Sequence, residues 1–152
     1  MDALQMLESE HDDLEALLVK LERTHGTEAR HVFLAVKDQH EMIEVLEETY
    51  IYPSLQNNDL TQASVLEGLE EHRVIDTFIQ ELTGVKPDEL AWQPKVHLLT
   101  MTLEHHVRAE ESELFPKIRL VWDSDKLTHL YRKMEQLKAK RKKEKELGLQ
   151  PA

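Results

Sequence analysis

The chain has 152 residues, nine histidines, no cysteine and a formal net charge of -11. The length suits one domain that buries roughly two-thirds of its unfolded surface. The missing thiols exclude disulfides and cysteine metal sites, so an ion would be held by His, Asp, Glu or water, which favours iron, manganese or zinc. The acidic balance argues against nucleic acid as a partner. Met1 opens into charged sequence and no apolar run nears the roughly 18 residues of a membrane span; the expectation is a soluble, cytoplasmic monomer or weak homo-oligomer without membrane contact.

From residue 3 to about 24, Leu4, Leu7, Leu14, Leu18 and Leu21 recur three and four apart, the stripe of a bundle helix, and His11 fills a vacant step in it. His25 and Gly26 end this element. A second helix, about 28 to 52, carries Phe33, Val36, Ile43 and Tyr50, with His40 where an apolar residue is due. Glu44 and Glu47 follow His40 at offsets of about 40° and 20° around the helix, so either can reach an ion beside it. Tyr52-Pro53 closes the element, because a proline ring disfavours helical geometry in the residue before it, and Gln56 to Asp59 reads as a turn.

The third helix, about 61 to 83, runs through Val65, Leu69, Ile75, Ile79 and Leu82 with His72 on the same face and Asp76 one turn beyond. After the turn at Gly84 to Asp88, a fourth helix reaches about 121 on the stripe Val96, Leu99, Leu103, His106, Glu110 and Leu114, with Pro116 expected to kink or break its end. Trp92 and Trp122 flank it as packing residues. A shorter fifth helix from Asp123-Ser124 fades into Lys138 to Lys145, a basic run expected to be a solvated, fraying end. The expected organisation is a bundle over residues 1–122 followed by a C-terminal helix and basic tail over 123–152.

Two residues of an antiparallel helix pair lie level when the turn falls midway between them. The midpoints are 25.5 for His11 and His40, 56 for His40 and His72, and 89 for His72 and His106, each in or beside a predicted turn. An all-α, up-down-up-down four-helix bundle therefore brings His11, His40, His72 and His106 into one layer, with Glu44 or Glu47 and Glu110 near it. Imidazoles and carboxylates buried together are costly without a cation. Four His and two Glu exceed the donors of one tetrahedral zinc and suit two metals sharing carboxylates.

Glu10-His11-Asp12, His40-x-x-x-Glu44 with its Tyr52-Pro53 ending, Glu71-His72, and Glu104-His-His-x-x-x-Glu110-Glu111 with its Phe115-Pro116 ending together resemble the hemerythrin-like, or HHE cation-binding, family over about residues 3 to 120. The resemblance implies two non-haem iron ions, oxo- or hydroxo-bridged, carried by His11, His40, Glu44, His72, His106 and Glu110. Such centres bind dioxygen, sense oxygen or iron, react with nitric oxide or peroxide, or take part in repair of iron centres.

There are two departures from the family pattern. Oxygen-carrying members have a fifth histidine where Asp76 stands. The gap from His106 to Pro116 is ten residues, whereas that from His40 to Pro53 is thirteen, so counting from His40 selects Glu44 and counting back from Pro53 selects Glu47. His40-Glu41-Met-Ile-Glu44 is similar to the hemerythrin-like domain of a eukaryotic iron-sensing F-box protein, which favours Glu44, with Glu47 and Glu41 in reserve. The expected function is a di-iron protein that binds dioxygen or another small ligand, or senses oxygen or iron. The alternative is a redox enzyme acting on nitric oxide or peroxide.

Overall fold

The structure, a computed structural model, describes residues 1–148; residues 149–152, the end of the expected tail, lie outside the described residues. The described residues are helical apart from short connections. The elements are α1 (Ala3–Arg23), α2 (Gly26–Leu46), α3 (Tyr52–Leu55), α4 (Gln62–Thr83), α5 (Trp92–Ala109), α6 (Phe115–Val121) and α7 (Ser124–Glu146). Two segments of π-helix, Glu47–Ile51 and Glu110–Leu114, join α2 to α3 and α5 to α6 without a break in the chain's helical course. The four-helix bundle is thus α1, α2 with α3, α4, and α5 with α6, and the fifth helix lies against it.

Several starts and stops have a local cause. The Asp2 side chain accepts from the Gln5 amide and the Gln5 side chain accepts from the Asp2 amide, each at 2.9 Å, a reciprocal cap that opens α1. Gly26, at φ +64°, allows α2 to start with only two residues between it and the end of α1. Asp123 caps α7 through the Lys126 amide at 2.8 Å. Between α3 and α4 the buried Thr61 hydroxyl donates to the Leu55 carbonyl at 2.7 Å, fixing a connection that has little apolar content.

The leucine stripe of α1 is fully buried, in one core cluster with Phe33, Val36, Ile75, Leu82, Val96, Leu99 and Leu103 from the other three helices. Truncating one such leucine to alanine costs about 2–5 kcal/mol. Trp92 and Trp122 are buried packing residues, as their flanking positions predict.

Two expectations about helix ends need adjusting. Pro53 and Pro116 neither end nor break their helices, because each follows a wide turn that absorbs the proline. An interior proline lacks an N–H and its ring crowds the carbonyl four residues back. Here the amide before each proline instead reaches five residues back, Tyr52 N–H to Glu47 O and Phe115 N–H to Glu110 O. The fifth helix is also longer than expected, at 23 residues. Leu127, Leu130 and Met134 pack on α1 and α2, and Lys138 and Lys145 of the basic run pair with Glu10 and Asp38. Glu10 is buried and also accepts from Gln39 at 2.7 Å, so α1, α2 and α7 are pinned together beside His11.

Candidate metal centre

The two wide turns begin at carboxylates, and those carboxylates meet. Glu47 opens one and Glu110 the other, and both are buried between α4 and α5 with His72 and His106. One donor atom from each of Glu47, His72, His106 and Glu110 lies within 4.8 Å of the others. The His72 and His106 Nε2 atoms face each other at 3.1 Å, with Glu47 Oε1 3.0 Å from His72 Nε2 and Glu110 Oε1 2.6 Å from His106 Nε2.

The outward nitrogens explain why the Nε2 atoms point inward. His72 Nδ1 lies 2.8 Å from Glu48, His106 Nδ1 2.6 Å from Glu71, and His11 Nδ1 2.7 Å from Glu111. With the Nδ1–H donating to a carboxylate, each ring is fixed in the tautomer that turns an Nε2 lone pair toward the interior. Two lone pairs 3.1 Å apart repel each other unless a proton or a cation stands between them. His11 Nε2, Glu47 Oε2 and Glu110 Oε2 are buried with no hydrogen-bond partner among the described residues. Orphaned buried acceptors of this kind are expensive, and all three are metal-ligating types.

The electrostatics follow from the crowding. Burial alone would push both carboxyls up; Glu47 is instead held well below the ordinary range by hydrogen bonds with Glu110, His106 and His72. Glu110 is raised by burial and then by the Glu47 charge beside it. Burial opposes protonation of His72, but the Glu47 bond and charge overcome it and carry the ring to about 9. His106 is raised well above its usual value against the same opposition, chiefly by Glu110. The protein alone therefore fills this space with protons, in the positions a cation would take.

Tyr52, next to Pro53, completes the enclosure. Its hydroxyl donates to Glu110 Oε1 at 2.8 Å and its ring stacks on His72 at 5.5 Å. This leaves Glu110 Oε2 free. The close approach depends on Gly68, where a Cβ would stand 2.9 Å from the Tyr52 hydroxyl oxygen.

Of the residues expected from sequence, His72, His106 and Glu110 lie in the inner group, and His11 stands at its edge, where Glu110 and Glu47 act on it electrostatically. All four layer histidines are buried, and the other five are exposed. His40 and Glu44 lie apart from the inner group: His40 Nε2 is 3.0 Å from Glu44 and 3.3 Å from Asp76. Glu47, one of the two helix-2 carboxylates compatible with the sequence, takes the inner place, and Glu41 is half-buried in neither group.

The offset has a geometric origin. The connection between α3 and α4 centres midway between Leu55 and Gln62, about 2.5 residues past the midpoint at 56. His40 is thereby set below the level of His72, and Glu47 is brought up to it. The outer carboxylates Glu48, Glu71 and Glu111 and the Tyr52–Gly68 contact were given no role in the sequence reading. The readable signal is a Glu-Glu pair beginning five residues before each aromatic-Pro pair, Glu47-Glu48 and Glu110-Glu111.

Buried histidines and paired carboxylates projecting from four helices into one layer define a metal-binding helical bundle of the carboxylate-histidine class. Residues 2–118 match the hemerythrin HHE cation binding domain, and the chain belongs to that family. No curated protein and no solved structure matches the chain. Among the described residues no helix is long and apolar enough to cross a membrane.

Proposed function

We propose that the chain holds two iron ions between Glu47 and Glu110 and uses them to take up dioxygen or another small ligand, or to sense oxygen or iron. The observation that supports this best is the inward convergence of metal-ligating atoms: Nε2 of His72 and His106 at 3.1 Å, with three buried, unpartnered atoms on His11, Glu47 and Glu110 beside them. His72, His106 and His11, with Glu47 and Glu110, would hold the ions. Such an ion pair supplies reversible one-electron changes and an open coordination position, which the protein side chains lack.

The chain's own groups do the rest. Glu48, Glu71 and Glu111 keep the imidazoles in their ligating tautomer. Tyr52 holds one oxygen of Glu110 and directs the other inward. The burial of His11, His72, His106, Glu47, Glu110 and Tyr52 keeps bulk water from the centre.

A second reading, redox chemistry on nitric oxide or peroxide, is favoured by one feature. Asp76 stands where oxygen-carrying relatives have a histidine, and it turns to His40 instead of the inner group. The inner pair then has fewer nitrogen ligands and is more open.

Metal analysis with optical spectra before and after exposure to oxygen tests both readings. About two irons per chain and an oxygen-dependent band that reverses under vacuum would support binding. Turnover of peroxide or nitric oxide without a stable band would support the enzyme, and a chain with less than one equivalent of any metal would sink both. His106→Ala should lose the iron pair, whereas exposed His97→Ala should keep it.

A further inference from the structure

The C-terminal helix is packed at one end and only tethered at the other. α7 buries Leu127, Leu130 and Met134, but none of the twelve residues after Met134 is buried. Over that length two ion pairs tie it to the bundle, Lys138 with Glu10 and Lys145 with Asp38. A pair as exposed as the second contributes little by itself. The last turns of α7 thus stand off from α2 and leave a groove of about 600 Å³ between them.

The groove combines two chemistries. Its floor is apolar, with Ala35 and with Leu17 and Met42, both partly buried against the core. Its rim carries five cations against two carboxylates, and three of those cations, Lys37, Arg141 and Lys142, enter no ion pair among the described residues. Lys138 is already committed, because releasing it would strand the buried Glu10 carboxylate. The charge contrast extends to the whole chain. α7 has nine basic and four acidic residues, so it stands at +5 while the remainder of a chain of net charge -11 stands at -16.

An occupant must offer apolar side chains to the floor and negative charge to the rim. The groove runs from Ala35 to Met42 on α2 and from Lys138 to Lys145 on α7, two helical turns or about 10 Å on each side. That shape accepts an α-helix whose apolar residues, three and four apart, meet Leu17 and Met42 while Asp or Glu on its flanks meet Lys37, Arg141 and Lys142. Met42 suits such a floor, since an unbranched thioether repacks around different shapes.

Nucleic acid fits less well, because Asp38 and Glu41 line the same groove and its floor offers phosphates nothing. A bilayer fits less well too. An interfacial helix needs an exposed apolar face, and the only exposed apolar residue of α7 after Met134 is Ala139.

We infer that the groove between α2 and the last turns of α7 is a docking site for an acidic amphipathic helix of a partner protein. The site is independent of what the inner centre holds.

The test uses the full chain and a fluorescein-labelled peptide of about 16 residues, with leucines at i, i+3, i+4 and i+7 and glutamates elsewhere. Anisotropy should report micromolar binding that weakens as salt is raised. Arg141→Glu/Lys142→Glu should weaken it at least about tenfold. Met42→Gln should weaken it at low and high salt alike, because it alters the floor and no charge. Circular dichroism melts confirm that both variants fold, and a peptide with lysine in place of glutamate should not bind.

Failure of the acidic peptide to bind overturns the inference, as does equal binding to the wild type and the double variant. Phosphatidylserine vesicles and a DNA duplex are the controls. Binding of either one that Arg141→Glu/Lys142→Glu abolishes would make this face a general anion surface and overturn the peptide site.

Discussion

The chain presents the same device twice and completes it differently each time. In both halves a Glu-Glu pair opens a wide helical turn, and an aromatic-Pro pair closes it five residues later: Glu47-Glu48 with Tyr52-Pro53, and Glu110-Glu111 with Phe115-Pro116. The first glutamate of each pair is buried in the centre, and the second holds an imidazole from another helix, Glu48 on His72 and Glu111 on His11. Four residues before Glu110 stands His106, but four before Glu47 stands Ile43, which is buried. The carboxylate framework is therefore symmetric while the nitrogen ligands are not. His40, displaced one turn, serves the flank instead.

The largest expected effect tests that symmetry. If the proposed two-ion centre holds, Glu47→Gln and Glu110→Gln should each abolish tight metal binding, because that reading has both ions depend on each carboxylate. Equilibrium dialysis of the two variants against iron(II) checks this. If one glutamine is tolerated, the halves are not equivalent and that carboxylate is an outer support only.

A smaller effect concerns pH in the metal-free chain. The His72 value is raised from 6.5 to about 9 on folding, so its contribution to stability is full below pH 6.5 and is lost as pH rises through 9. Denaturant unfolding of the apo protein should lose up to about 3 kcal/mol between pH 6.5 and 9. The loaded protein should go the other way, since metal competes with those protons and is held better at high pH. A loaded chain that follows the apo curve would argue against ligation by His72.

The smallest effect sharpens the aromatic half of the comparison. Gly68→Ala should gain helix propensity but drive the Tyr52 hydroxyl off Glu110, for a net loss of about 1 kcal/mol. Tyr52→Phe should match it in the optical spectrum of the loaded centre, since both free Glu110 Oε1. Because Phe115 has no hydroxyl, Phe115→Leu should leave that spectrum unchanged.

These contrasts also show what the sequence could convey. That His11, His40, His72 and His106 face the interior was legible because helix periodicity depends on the chain alone, but the turn midpoint that levelled His40 with His72 was not met. The midpoints for α1–α2 and α4–α5 fall within about 1.5 residues of the observed centres of those connections, and the fourth-helix pair, His106 and Glu110, lies in the buried group. The choice between Glu44 and Glu47 was not legible from His40. Both share a face with it, and the connection before α4 is centred by the Thr61–Leu55 bond, a tertiary contact without a local pattern. The wide turns were hidden for a similar reason: proline announces that a regular helix must yield, but not whether it ends or takes up one residue and continues.

The wide turns matter beyond the carboxylates they position. Each resets the rotational phase of its helix by the angle of one residue, so side chains before and after it answer to different constraints. At its start, Glu47 and Glu110 are buried among the histidines; downstream, Leu55 and Ile118 are buried in the apolar core. A regular helix would tie the two in a fixed angular relation, and any change at one end would have to be matched at the other. With a phase slip between them, the bundle's interior can be repacked without rotating its carboxylates, and its ligands can be varied without disturbing what holds the helices together.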